Sequence, residues 1–283
     1  MIFFKKEKNK NFLLQKGVNL ASKGEDVDAI KFYDKVLDLD SDHFLALYNK
    51  GISLGRIGKY DEELNCLQKA LNINPEDVDA WNDKAFALGK LGRYEEQLES
   101  LNIALKLDSK HFKALFNKGI FFMGFEKYLE ALKCFDEALE VNPMYVDAWY
   151  NKGLIFQRLG KDKESLKYYD KTLELDPQYF NALVNKGVAL GKLKRYSEEL
   201  ECLNRALKLN PKNIQARFNQ AITFMELEKY DDALNSFAEI LNLDLNNANV
   251  WYNKGIIYEK RGDNEKALEC FKKALKLESN KNY

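Results

Sequence analysis

Residues 146–179, VDAWYNKGLIFQRLGKDKESLKYYDKTLELDPQY, carry two apolar stripes separated by a glycine. The first stripe places bulky Trp149, small Gly153 and large Phe156 at steps of three and four, the spacing of one helical face. Gly160 interrupts the pattern, and a second stripe runs from Leu166 through Tyr169, Leu173 and Leu175. Asp176-Pro177 then ends the helix and turns the chain. The segment predicts helix–turn–helix, with connections short enough to make the two helices antiparallel neighbours.

The pattern recurs every 34 residues. Gly17, Gly51, Ala85, Gly119, Gly153, Gly187, Ala221 and Gly255 keep that step with no insertion or deletion. With this small residue as position 8, eight units (10–43, 44–77, 78–111, 112–145, 146–179, 180–213, 214–247 and 248–281) fill residues 10–281 after an N-terminal extension, residues 1–9. Two residues follow the last unit. A fixed period of this length marks a single solenoid domain of one stacked unit, and it overrides the two domains that length alone suggests. Position 28 is Leu in every unit, from Leu37 to Leu275, and position 31 is Asp, Asn or Glu. Pro75, Pro143, Pro177 and Pro211 occupy position 32; Tyr60, Tyr94, Tyr128, Tyr196 and Tyr230 occupy position 17. The small residue at position 8 is expected where two helices cross too closely for a larger side chain.

These residues resemble the tetratricopeptide repeat (TPR) family. Trp81, Trp149 and Trp251 match its first marked position, and Ala131 with Phe135, Ala233 with Phe237 and Ala267 with Phe271 match its later Ala–Phe pair. The resemblance implies an all-α, right-handed TPR superhelix whose first helices line a concave groove at positions 2, 5, 6, 9, 12 and 13. Two departures stand out. Position 7, usually Leu in the family, is Lys16, Lys50, Lys84, Lys118, Lys152, Lys186 and Lys254, with Gln220 in the seventh repeat. Position 20, usually Ala, is Glu63, Gln97 and Glu199 in three repeats. Long stems at these positions are expected to lie across apolar surface with polar heads in solvent.

A second period of 102 residues overlies the first. Residues 87–108 and 189–210 are identical at 16 of 22 positions, WYNKG at 149–153 returns at 251–255, and FFM at 121–123 returns as TFM at 223–225. Repeats 3–5 thus read as a duplicate of repeats 6–8, either as history alone or for a partner that touches the surface twice.

The groove positions supply the candidate site. Position 6 is Asn49, Asn117, Asn151, Asn185, Asn219 and Asn253, with Gln15 and Asp83 in the remaining repeats. A carboxamide both donates and accepts, so such a row could hold the backbone of an extended peptide or brace neighbouring helices. It resembles the asparagine ladder of the TPR superhelix in the protein O-GlcNAc transferases. Position 9 is apolar throughout: Val18, Ile52, Phe86, Ile120, Leu154, Val188, Ile222 and Ile256. Position 5 adds Leu14, Tyr48, Phe116, Tyr150, Val184, Phe218 and Tyr252, and position 12 is Gly55, Gly89 and Gly191 or Met123 and Met225. Together they predict an apolar floor, aromatic walls and an Asn row, a surface that calls for a protein or peptide partner. Charges around it are mixed, with Arg56, Lys90, Lys113, Arg158, Lys192 and Lys260 facing Asp79, Asp147, Glu226 and Glu259. The carboxylate clamp of some TPR co-chaperones would need Lys at position 5 and Asn at position 9, and the chain has neither there.

Composition narrows the functions further. Forty-four basic residues balance 44 acidic ones, which argues against nucleic acid and anionic membrane as partners. No apolar run is long enough to span a membrane, and Ile2, Phe3 and Phe4 are too few for a signal peptide; they are expected to pack on the first helix as a cap. The expected location is cytoplasmic. Cys66, Cys134, Cys202 and Cys270 all sit at position 23 of alternate repeats, too far apart for a disulfide or a shared metal, and are expected to be small residues half buried in helices. His43 and His111 both fall at position 34 and are expected in exposed turns. The acid pairs Glu62-Glu63 and Glu198-Glu199 lie where second helices start and suit the helix dipole. No phosphate loop, catalytic triad or ligand cluster is present, so no catalytic residue, cofactor or metal is expected. The expected function is a non-catalytic interaction scaffold that binds a peptide or protein segment in the groove. The alternative is a regulatory or targeting subunit of an enzyme assembly, docked by its convex face or its C-terminal end. Ser-Asn-Lys-Asn-Tyr follows the last second helix directly, and this uncapped end is a possible site of self-association.

Overall fold

The computed structural model describes residues 2–279, with the side chains of residues 7–279. The Ile2, Phe3 and Phe4 cap and the last residues of the chain lie outside the described side chains. Every described element is α-helical, and the chain divides into two compact units, Met1–Tyr145 and Val146–Tyr283.

The first unit holds α1 (Ile2–Ala21), α2 (Asp26–Leu39), α3 (Phe44–Arg56), α4 (Tyr60–Ile73), α5 (Val78–Lys90), α6 (Tyr94–Leu107), α7 (Phe112–Gly124) and α8 (Tyr128–Val141). The second holds α9 (Val146–Arg158), α10 (Asp162–Leu175), α11 (Phe180–Lys192), α12 (Tyr196–Leu209), α13 (Ile214–Glu226), α14 (Tyr230–Leu243), α15 (Ala248–Lys260) and α16 (Asn264–Ser279). Two helices per 34-residue repeat is what the sequence pattern predicts. The described part of the N-terminal extension is helical and opens α1, because nothing between residues 2 and 10 breaks a helix. Within each unit the first helix of a repeat packs on its own second helix, and that second helix packs on the next repeat's first helix.

The turns follow from residue chemistry. Position 15 is left-handed in all eight repeats: Gly24, Gly58, Gly92, Gly160 and Gly262 take it at φ 70–80°, and Glu126, Lys194 and Glu228 are held there at φ 57–58° despite their Cβ atoms. At position 31, the Asn or Asp that ends a second helix folds its side-chain oxygen onto the backbone N–H two residues on, as in Asn74–Glu76, Asp108–Lys110 and Asp176–Gln178. Position 34 caps the next helix: Asp77, Asn213 and Asn247 accept from the N–H three residues on. His43 and His111 do the same through Nδ1 at 3.3 Å. These histidines are therefore half-buried N-caps rather than exposed turn residues.

The core turns on one contact, between positions 8 and 24. Tyr33, Leu67, Leu101, Phe135, Tyr169, Leu203 and Phe237 occupy position 24, all fully buried. A Cβ on Gly119 would lie 2.5 Å from the Phe135 ring, and one on Gly153 would lie 2.6 Å from the Tyr169 ring. Opposite leucine the space is greater: a Cβ on Gly187 would meet Leu203 at 3.2 Å. The small residue is thus matched to a large side chain across the helix pair. Only at Ala221, facing Phe237, do a Cβ and a ring coexist.

Position 7 joins repeat to repeat. Lys84 donates to Gln68 at 2.8 Å, Lys118 to Asn102 at 2.8 Å, and Gln220 to Asn204 at 2.6 Å; Lys50 and Lys186 pair with Asp34 and Asp170. Each partner is position 25 of the preceding repeat. Ammonium groups at this position also lie over aromatic faces, Lys84 on Trp81 and Lys254 on Trp251. The expectation of heads free in solvent is corrected: most heads are inter-repeat hydrogen-bond donors.

The position 8–24 contact has a measurable consequence. Gly187→Ala is expected to be neutral or to raise stability by up to about 1 kcal/mol, through removal of a mid-helix glycine. Gly153→Ala is expected to lower it by about 1–3 kcal/mol through overpacking against the Tyr169 ring. Urea denaturation followed by circular dichroism distinguishes the two.

Candidate functional site

The first helices present positions 5, 6, 9, 12 and 13, and the structure gives these positions distinct roles. At position 6, the carboxamide is governed by position 5 of the preceding repeat. Where that neighbour is polar, the two bridge: Tyr48 donates to Asp83 at 2.7 Å, Asn117 donates to Asn82 at 2.8 Å, and Asn185 donates to the Tyr150 hydroxyl at 2.8 Å. Asn49 and Asn253 follow Leu14 and Phe218, and each turns its amide back on the carbonyl four residues earlier. Asn151 makes the same intrahelical bond, to Asp147. Asn219 follows Val184, and its Nδ2 is buried without a partner. The amide donors are thus mostly committed inside the chain, so a peptide would meet chiefly their acceptor oxygens.

Position 5 is only partly a wall. Phe116 packs tilted against Phe135 and edge-on against Tyr145, Tyr150 packs tilted against Tyr169 and Tyr179, and Phe218 packs tilted against Phe237, so these rings are half-buried in their own repeats. Tyr48 is half-buried as well, and Tyr252 is exposed. At position 9, Val18, Ile52, Ile120, Leu154, Val188, Ile222 and Ile256 are half-buried and Phe86 is exposed.

Positions 12 and 20 are coupled by volume. Gly55, Gly89 and Gly191 face Glu63, Gln97 and Glu199 across the helix pair, and a Cβ on Gly191 would lie 2.6 Å from the Glu199 carboxylate. In the other five repeats position 12 is Ala21, Met123, Gln157, Met225 or Glu259, and position 20 is Ala29, Ala131, Ser165, Ala233 or Ala267. A polar side chain at position 20 fills the cradle that glycine leaves. Glu63 and Glu199 are only 3% and 6% exposed, which corrects the expectation of solvated heads. In each acid pair only the outer member pairs at the surface, Glu62 with Lys59 and Glu198 with Arg195; the inner member is in the core.

Burial pushes the Glu63 carboxyl up to about 7, and the charge of Asp83 adds to the rise. Burial likewise pushes Glu199 up to about 7, opposed by a hydrogen bond from Thr223 and assisted by Glu226. Oε2 of Glu63 has no hydrogen-bond partner. Cys66, Cys134, Cys202 and Cys270 are buried and unpaired, and burial raises each thiol, Cys134 to about 11. Among the described residues no group of three or more His, Cys, Asp or Glu could hold a metal ion, and no helix is long and apolar enough to cross a membrane.

Three clefts open beside these residues. In the first unit, a cavity of about 560 Å³ is lined by Tyr94, Leu98, Phe121, Phe122 and Phe125, and an adjoining one of about 320 Å³ adds Phe86, Gly89 and Ile120. Its rings form edge-on and tilted contacts, Tyr94–Phe125 at 5.3 Å and Phe121–Phe125 at 4.9 Å. Phe86, Tyr94 and Phe125 remain about half exposed. In the second unit, a cavity of about 410 Å³ lies among Val188, Gly191, Tyr196, Glu199, Ile222, Thr223 and Glu226. Position 9 was legible in the sequence as part of such a surface. The contributions of positions 10, 14, 17 and 20 were missed, although the reciprocal sizes at positions 12 and 20 were a usable signal.

Comparison with known proteins agrees with this architecture. Tetratricopeptide repeat models match residues 146–179 and 248–281, 66–99, and 45–77 with 180–213, and a TPR repeat model matches residues 126–160. The chain belongs to the tetratricopeptide repeat family. No curated protein matches it. Among solved structures it is similar to pilF of Pseudomonas aeruginosa, at 21% identity and a TM-score of 0.65 over 71% of this chain and 91% of that one. A tetratricopeptide repeat protein of Parabacteroides merdae aligns over 95% of this chain and 99% of its own, at 18% identity and a TM-score of 0.63. YrrB, described as a TPR protein with an unusual peptide-binding site, is 24% identical, with a TM-score of 0.57 over 66% of this chain and 97% of its own.

The buried carboxyls make stability depend on pH in a defined direction. Each has a folded pKa near 7 against an ordinary value of 4.5, so its contribution is fully present below about pH 4.5 and is lost as pH rises through 7. Between pH 5 and pH 8 the thermal midpoint is expected to fall. Glu63→Gln with Glu199→Gln, copying Gln97, is expected to flatten that slope and add on the order of 2 kcal/mol per site at pH 8. Differential scanning calorimetry at several pH values measures both effects.

Proposed function

We propose that this protein is a non-catalytic cytoplasmic scaffold that binds a peptide or protein segment along the first-helix faces of its repeats. The observation that carries this reading is the apolar and aromatic cleft of repeats 3 and 4, where Phe86, Tyr94 and Phe125 stay half exposed beside Ile120 and Phe121. Exposed rings at the rim of a preformed cavity favour a partner over solvent. In this reading the position 9 residues provide the apolar contact surface, and the Oδ1 atoms of Asn49, Asn117, Asn185 and Asn253 accept from a peptide backbone, whereas Asn151 is buried and takes no part. A displayed library of 12-residue peptides, selected on the protein, tests it. Selected peptides are expected to weaken at least tenfold on Phe86→Ser or Ile120→Ser. They should be unaffected by Lys133→Ser on the exposed surface of α8. Peptides that ignore both face substitutions would sink the reading.

A second reading, self-association or docking through the last repeat, has its own observation. The position 28 leucines Leu71, Leu173, Leu207 and Leu241 are buried, whereas Leu275 is 66% exposed beside exposed Leu268 on α16. If this face joins two copies, light scattering at high concentration gives a dimer mass that Leu275→Lys with Leu268→Lys returns to monomer. A monomer at every concentration removes self-association.

A further inference from the structure

The clefts of the two units are the same site, 102 residues apart, with different linings. Gly89, Lys90, Tyr94 and Ile120 in the first correspond to Gly191, Lys192, Tyr196 and Ile222 in the second. The frame is kept while the positions facing the cavity diverge. Gln97 becomes Glu199, Phe121 becomes Thr223, Gly124 becomes Glu226, and Phe86 becomes Val188. Each change but the last replaces a neutral or apolar group by an acidic or hydroxyl one.

The second cleft is built for charge at one end. Glu199, 6% exposed, sits at its base in the cradle left by Gly191. Glu226 stands at the rim, where the Tyr196 hydroxyl donates to it at 3.4 Å. Asn219 also lines the cavity, and only its amide oxygen could accept from a cation there, because Nδ2 is a donor and is buried. Two cations border the site: Lys192 is drawn away to Asp162 at 3.4 Å, and Lys194 stands exposed at the turn. Val188 and Ile222 supply apolar walls suited to a methylene stem.

We propose that the cleft between repeats 6 and 7 receives one cationic side chain, lysine or arginine, of the bound peptide, with Glu199 and Glu226 as its counter-charges, while the cleft between repeats 3 and 4 receives an apolar side chain. This deepens the scaffold reading and rests on it for the peptide as the source of the cation. A buried carboxylate facing a cation across an apolar sleeve gains a charge-assisted hydrogen bond that water cannot displace. It also acts as a gate on pH, because the cation selects the ionised form of Glu199. With half-ionisation near 7, only about a tenth of the sites are competent at pH 6, so apparent affinity is expected to rise about tenfold by pH 8.

The test uses small probes, so that it does not depend on finding a partner. Nα-acetyl-arginine methylamide and Nα-acetyl-norleucine methylamide are titrated into the full chain, followed by NMR of isoleucine and valine methyls. The arginine probe is expected to shift Val188 and Ile222, with affinity rising about tenfold from pH 6 to pH 8. The norleucine probe is expected to shift Ile120. Glu199→Gln, a change that Gln97 shows this position accepts, is expected to abolish the arginine response and its pH dependence. Gln97→Glu with Gly124→Glu is expected to create an arginine response at Ile120. Norleucine shifting Ile222 as strongly as arginine, or an arginine response unchanged in Glu199→Gln, would overturn the proposal. Either outcome leaves the scaffold reading, which is tested at Phe86 and Ile120 of the first unit, in place.

Discussion

The distance between the two helices of each repeat is set by what position 8 allows position 24 to do. A ring lies on a bare Cα, as Tyr169 lies on Gly153 and Phe135 on Gly119, and fills the space that a Cβ at position 8 would need. Everything above this contact inherits its geometry. The position 20 residue is one helical turn before position 24, and the position 12 residue is one turn after position 8, so the same close approach forces a choice of which helix contributes the bulk. The clefts then form where that choice and the next repeat's first helix leave a gap.

This ordering explains why some features were legible in the sequence and others were not. The 34-residue step, the helix ends at positions 17 and 31 and the turn at position 15 are local: they follow from periodicity, glycine and Asn or Asp chemistry, and the structure has them at those positions. What position 7 does is not local. Lysine at a family leucine position reads as a solvated surface until its partner at position 25 of the preceding repeat is known. The same is true of His43 and His111, whose capping role depends on backbone N–H groups that periodicity does not display. Glu63 and Glu199 were the hardest to read, because a Glu-Glu pair at a helix start fits the dipole equally well whether or not one of its members turns inward.

The asparagine row shows how one residue type can serve two ends. An amide at position 6 that bridges to Asn82 or Tyr150 fixes one repeat against the next, and doing so commits its donor. Bracing and peptide contact are therefore not exclusive. The donor half of the amide serves the fold, and in the proposed scaffold the acceptor half would be the part that meets a ligand's backbone N–H groups. Asn219, set behind Val184, lacks the brace, and it is also the asparagine that lines the acidic cleft. The loss of a structural partner and the gain of a polar cavity thus fall at one residue.

The 102-residue period gains meaning from the same comparison. What matters for the cavity is the chemistry of the differences between the two copies rather than their number. Between residues 87–108 and 189–210, three of the six differences, Gly92 to Lys194, Glu95 to Ser197 and Gln97 to Glu199, fall at cleft-lining positions, while Gly89, Lys90 and Tyr94 of the frame are unchanged. The further changes at Phe86, Phe121 and Gly124 alter volume and charge together. Lys194 occupies a left-handed turn where its copy has glycine, a conformation that disfavours a side chain. Placing a Cβ there has a conformational cost that the turn itself does not require, and so does burying a carboxylate where the sister cleft has an amide. Two locally unfavourable residues at one cavity, on an otherwise repeated frame, are what a diverging binding surface would leave behind.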